Sequence, residues 1–239
     1  MVAVDPKSAP SAAHQFTVVI DGVETTIHEG VLRCSNGGTV TVLRPGVLEA
    51  SRLPHVVVRG SGGAGDVRFT RCGHAAAEGC GAASFDRCGA VRVDGAREVA
   101  VARCRSADVE RVAGAVAIRR CRGAARVRGA GELRVGRCRE ADVGGCADAA
   151  VARCRAARAD WCGALALGRC ASADVTRCGA VRVDRCRGAS VAGCGTVAVR
   201  RGRVNVVQAP PKGCQEEAMM YQQIVAEPVL AAPVEIMTK

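Results

Sequence analysis

With 239 residues, the chain is long enough for one or two domains. Hydrophobic residues make up 49% of it but aromatic residues only 2%, which excludes an ordinary globular core built on large side chains. The formal charge is +11, unevenly spread: residues 1–28 and 208–239 each sum to −2, so residues 29–207 carry about +15 and point to an acidic partner.

Residues 1–13 read as a flexible arm, with Pro6, Pro10 and small residues. They have neither the apolar run of a signal peptide nor the arginines of a mitochondrial presequence, and no run of about 20 apolar residues is present to span a membrane. Residues 14–28 form a hairpin cap: Phe16–Ile20 and Val23–Ile27 are apolar-rich runs joined by Asp21-Gly22, a two-residue turn signal.

From residue 29 to 207 the chain repeats. Arg-Cys recurs at steps of sixteen or seventeen, and the basic unit is an octad: Cys, two small or basic residues, then an apolar, an outward and a second apolar residue. Cys178-Gly-Ala-Val181-Arg-Val183-Asp-Arg185 is the clearest copy. Alternating apolar positions are strand periodicity, and a short fixed period marks a repeat architecture. Octads opening Cys162-Gly-Ala-Leu alternate with octads opening Cys154-Arg-Ala-Ala, so two octads make one coil. The expected fold is all-β: a single-chain parallel β-solenoid of about eleven coils with two short strands each. Large apolar residues of one face would oppose alanines of the other. Single insertions follow Val112 and Cys121, and Gly60–Gly65 is a loop thrown from a corner.

Residues 208–239 are a C-terminal extension. Ala209–Gly213 reads as a linker. Gln215–Ala226 reads as a short helix whose anchors are Met219, Met220, Tyr221 and Ile224, ended by Pro228 and followed by an extended tail. The extension either caps the last coil or lies in a groove of a partner.

Fifteen cysteines raise disulfides or metal. No Cys-x-x-Cys pair exists, the cysteines keep octad spacing, and Ala96, Val112 and Ala130 fill the same slot. The slot is therefore a small buried site, and the thiols are expected to be reduced, in a reducing compartment, with no metal and no cofactor. His14, His28, His55 and His74 are not spaced as a triad or metal site, and Gly60–Gly65 lacks the Lys-Ser/Thr of a phosphate loop, so no catalytic residue is assigned and an enzyme is not expected.

Two octads per coil turn each outward slot into a column. One face reads Arg92, Asp108, Arg126, Asp142, Arg158, Asp174, which is self-satisfied; the other is flat and alanine-rich. The edges differ more. One is Gly-Cys-Gly in character, as at Gly79–Gly81 and Gly193–Gly195. The other carries the candidate binding residues: Arg52, Arg71, Arg87, Arg103, Arg120, Arg137, Arg153, Arg169, Arg185 and Arg201 before the corner, and Arg105, Arg122, Arg139, Arg155 and Arg187 after it. Guanidinium forks suit carboxylate or phosphate. The stacking aromatics of RNA readers are missing from this edge, which ranks an acidic protein above RNA.

Val-x-Val with cysteine at the coil corners resembles the β-helix of the cyclase-associated-protein and tubulin cofactor C superfamily, over residues 29–207. That resemblance implies binding to cytoskeletal proteins or small GTPases. In the cofactor C branch an arginine finger acts on a GTPase; Asp66-Val-Arg68-Phe-Thr70 matches that segment at Arg68 but departs from it at Asp66 and Thr70. The expected function is a non-catalytic scaffold in a large cytoplasmic, cytoskeletal hetero-complex, microtubule-based or axonemal in a cilium or flagellum. It would dock its basic edge on acidic surfaces such as tubulin. The alternatives are an RNA-binding ribonucleoprotein component and a GTPase-activating domain. No membrane partner is expected.

Overall fold

The computed structural model describes residues 16–27, 30–34, 37–44, 46–60 and 65–207, and every regular element among them is a β-strand. From Val47 onward the chain is a two-faced parallel β-solenoid. On the alanine-rich face Val47–Ser51 pairs with Asp66–Thr70, and the same parallel ladder continues through Asp148–Ala152 and Ala164–Gly168 to Thr196–Val207. On the charged face the ladder starts at His55–Gly60 and His74–Glu78. The in-register step is sixteen residues, as in Asp148↔Ala164↔Ala180, and one slip, between Val112 and Ala115, takes up an insertion.

The stack holds about ten coils, one fewer than the octad count. The difference lies in Gly30–Arg33 and Thr39–Arg44, which fit the octad pattern but pair antiparallel with one another, Thr39–Arg44 then pairing antiparallel with Val47–Ser51. Alternation specifies which side chains face inward, and an antiparallel strand satisfies it as well as a parallel one. The tight reversal at Gly46 (φ 79°) decides the direction. On the other face, Phe16–Ile20 and Val23–Ile27 form the hairpin, with Asp21 and Gly22 both at positive φ as a type I′ turn requires. Phe16–Ile20 lies antiparallel on His55–Gly60. Antiparallel strands thus close the N-terminal end of the stack on both faces.

The core is one layer of side chains thick. Leu165 and Leu167 on one face accompany Ala157 and Ala159 on the other, all nearly fully buried. Phe69 and Phe85 stack in parallel at 4.7 Å. The corners are made by single residues in the left-handed region, each followed by an inward side chain. Cys72, Cys88, Cys104 and Cys121 begin a buried column along one edge, and Cys146, Cys162, Cys178 and Cys194 end one along the other. All the described cysteines are free. Cysteine fits this slot better than alanine for a reason the octad pattern does not reveal. Its thiol reaches back to the strand-end carbonyl two residues earlier, as from Cys104 to Ala102 (3.3 Å) and Cys178 to Thr176 (3.3 Å).

Burial pushes the Cys80 thiol up to about 11. The neighbouring Cys146 thiol, and then burial, push Cys162 up to about 12. Such thiols are neither ionised nor reachable. Iodoacetamide at neutral pH should therefore modify the half-buried Cys34 at least about a hundredfold faster than the buried Cys80 and Cys162 of the folded chain. Peptide mapping reads this directly, and comparable labelling of Cys80 or Cys162 would show that the corners open.

Candidate functional site

The leading arginines occupy the corner itself. Arg52, Arg71, Arg87, Arg103, Arg120, Arg137, Arg153, Arg169 and Arg185 all have φ between 56° and 61°. Their backbone N–H groups donate to the next coil, as from Arg137 to the Ala152 carbonyl (3.0 Å) and from Arg153 to that of Gly168 (2.8 Å). The residue after the cysteine donates back to the previous coil, as from Arg105 to the Cys88 carbonyl (3.1 Å). Main-chain hydrogen bonds therefore satisfy the corner, and the guanidinium groups stand outside it, exposed. Arg201 departs from this pattern. A register slip in the last coil sets it opposite Asp184, outside the left-handed column.

The opposite edge makes the same turn with different residues. Gly79, Gly95, Gly129, Gly145 and Gly193 take φ of 60–69° there, alongside Arg111, Trp161 and Arg177. The non-glycine residues of that edge are tied locally. Arg177 donates to both carboxylate oxygens of Asp160 (3.0 and 2.6 Å) and lies over the Trp161 ring at 4.7 Å. Arg111 holds Asp94 through two hydrogen bonds, one of 2.6 Å, and keeps that carboxyl below its ordinary pKa. None of these pairs was legible from octad phase, because each joins a strand end to a corner one coil away.

On the arginine edge such neutralisation is seen, among the described residues, at two places. Arg103 is held by Asp86 through two bonds of 2.7 Å, with Arg87 3.9 Å from the same carboxylate, and Arg185 lies 4.0 Å from Asp184. Between them, Arg120, Arg137, Arg153 and Arg169 have no acidic partner among the described residues. The strand-end residues before them explain this: Arg119, Gly136, Ala152 and Gly168 stand where Asp86 and Asp184 stand elsewhere. Arg122, Arg139 and Arg155, just past the cysteines, are also exposed and unpaired among the described residues. Arg105 extends this second row on one side, and Arg187 resumes it beyond the break at Ala171. Three consecutive coils, those of Arg120, Arg137 and Arg153, thus present a double row of guanidinium groups with no acidic partner among the described residues, at the coil spacing of about 4.8 Å, and Arg169 continues the first row alone because Ala171 follows Cys170. Neighbouring like charges at that distance repel by roughly 1 kcal/mol in water. Arg52 and Arg71, also without an acidic partner among the described residues, line a cleft of about 470 Å³ against Thr39 of the N-terminal cap.

The charged face has the expected register, Arg92↔Asp108↔Arg126↔Asp142↔Arg158↔Asp174. Within this column the ion pair that closes on Asp142 is nevertheless a diagonal one, from Arg128 at 2.9 Å, while nearer the N-terminal end of the face Arg59 bonds Glu78 in register at 3.0 Å. On the alanine face a shallow trough of about 500 Å³ runs over Ala150 and Ala166 between Arg134 and Arg182. Arg68 is exposed on this face in register with Glu49 and Ser84, away from the free double row. His55 and His74 stack at 5.5 Å on the charged face. Among the described residues no group of three His, Cys, Asp or Glu is placed to hold a metal ion. Met219, Met220, Tyr221 and Ile224 lie outside the described residues, as does the arm of residues 1–13.

No protein-family model, no curated protein and no solved structure matches the chain.

Proposed function

We propose that the chain is a non-catalytic docking rod that joins a larger assembly through its arginine edge, taking an acidic protein surface as partner. One observation carries this reading. Arginine fills all nine left-handed corners from Arg52 to Arg185, although glycine serves five of the equivalent corners opposite. A left-handed conformation costs an L-residue roughly 1–2 kcal/mol, while glycine's extra loss of chain entropy costs only roughly 0.5–1 kcal/mol. Asparagine, which tolerates this region better than arginine, stands at none of these corners. Corner geometry does not select arginine, and in the middle four coils no ion pair among the described residues does. Use of the side chain outside the molecule accounts for the choice. Forked, permanently charged groups on a rigid rail are pre-organised for carboxylates, so little side-chain freedom is lost per contact. Glutamate-rich surfaces, including the tails of tubulin in a cytoskeletal assembly, have the matching chemistry.

The test compares the intact chain with the variant Arg120→Gln/Arg137→Gln/Arg153→Gln/Arg169→Gln. A glutamate-rich peptide is the probe, and single-stranded RNA is the competitor. Loss of at least about tenfold in peptide affinity, worth about 1.4 kcal/mol, is expected, with marked weakening as salt rises. Unchanged peptide binding would remove the reading. Preferential RNA binding that depends on the same arginines would reassign the edge to a nucleic acid.

A further inference from the structure

The two ends of the stack are finished differently. Antiparallel strands cover the N-terminal end on both faces. At the other end the last strand, Thr196–Val207, pairs only with Ala180–Ala192 among the described residues. Half of its main-chain donors and acceptors therefore face away from any described strand. Its inward positions tell the same story. Val197 and Val199 stand in register with Val181 and Val183, and Val204 and Val206 with Ala189 and Val191. Those four partners are at most 7% exposed, whereas Val199 is 46% and Val206 54% exposed. Val199 and Val206 thus hold core positions that no described strand covers, while Val197 and Val204 are partly buried against the coil before them. An open, apolar strand edge of this kind is a template for association.

We infer that the occupant of this edge is the chain's own C-terminal segment, residues 208–239. The segment follows directly on the open strand. At up to about 3.3–3.6 Å per residue it reaches any point of a coil only a few strand-lengths around, and tethering gives it an effective concentration in the millimolar range. Its charge is complementary. Glu216, Glu217, Glu227 and Glu235 outweigh Lys212 and Lys239, facing a rim that carries the exposed Arg200, Arg201 and Arg203. A second copy docked end to end would set those three arginines against their own equivalents. Its apolar residues Met219, Met220, Tyr221 and Ile224 are what the exposed Val199 and Val206 need. The argument is independent of the partner assigned to the arginine edge.

Hydrogen exchange on the full-length chain tests it, with the mass measured by sedimentation at several concentrations. Amides of Thr196–Val207 are expected to exchange within about tenfold of those of Ala180–Ala192, in a monomer. Two full-length variants address the two halves of the argument: Glu216→Lys/Glu217→Lys/Glu227→Lys for charge, and Met219→Asp/Ile224→Asp for apolar cover. Acceleration by about tenfold or more at Thr196–Val207 in either variant supports the cap. Rapid exchange in the parent monomer would show an open end. Protection that grows with concentration would make a second copy the occupant. Protection unmoved by both variants would exclude the segment.

Discussion

Arg137→Gly, Arg153→Gly and Arg169→Gly, combined in one chain, are expected to leave thermal stability equal to the parent or higher while the acidic partner is lost. Each substitution relieves a left-handed conformation that costs arginine roughly 1–2 kcal/mol and returns roughly 0.5–1 kcal/mol through the freer unfolded chain. The net gain is about 0–1 kcal/mol per site, and removing like charges at about 4.8 Å spacing adds to it. For a chain of this size 1 kcal/mol moves Tm by about 2–4 °C, so the triple variant should melt from level to about 10 °C higher. The competing account is that the arginine stems shield the cysteine corner. It predicts a clear fall in Tm, and melting followed by circular dichroism separates the two. Arg177→Gly supplies the contrast. It relieves the same backbone conformation but gives up two hydrogen bonds to Asp160 and the Trp161 stack. Those exposed contacts are worth roughly 0.2–1 kcal/mol for the ion pair and roughly 0.5–1 kcal/mol for the ring, so no gain is expected there. A gain on one edge and none on the other is what residues kept for an external partner should show.

Much of this was open to reading in the octads, because alternation of apolar residues translates directly into which side chains face inward. Cys162-Gly-Ala-Leu and Cys154-Arg-Ala-Ala name the two faces, and glycine before Cys80 and Cys194 announces the left-handed corners of one edge. Strand direction was not legible. Val40 and Val42 alternate as well in the antiparallel cap strand they occupy as in a coil. The strain on the other edge was hidden too, since arginine is not a residue that signals positive φ; only the backbone shows that Arg137 and Gly145 make the same turn. The candidate site was legible as a column but not as a gradient. Spacing shows where Arg87 and Arg153 stand, whereas only coordinates show Asp86 in reach of the first and nothing acidic, among the described residues, in reach of the second.

Leu165→Ala is expected to be among the most damaging single changes, at about 2–5 kcal/mol. Leu165 is 2% exposed and stands in the column Leu133↔Ala149↔Leu165↔Val181. The core is a single layer, so few side chains are able to move into the cavity, and the surrounding ladders hold the backbone apart. The reverse error, Ala149→Leu, overfills the same column at about 1–3 kcal/mol. Combined, the two exchange volume between adjacent rungs and leave the total nearly unchanged, the kind of swap that cores tolerate best. The double variant should therefore be more stable than the sum of the singles by at least about 1 kcal/mol, a coupling within the range for residues in contact. Urea unfolding of the four proteins measures it, and strict additivity would mean that the rungs do not share space. In a stack whose coils touch only their neighbours, the damage should also stay local. Hydrogen exchange ought to quicken around Asp148–Ala152 and Ala180–Ala192 while Val47–Ser51, beneath the N-terminal cap, keeps its protection. Stability held rung by rung, in apolar columns inside the charged edge, is what allows that edge to carry arginines over four coils with no acidic partner among the described residues and without unravelling the rod.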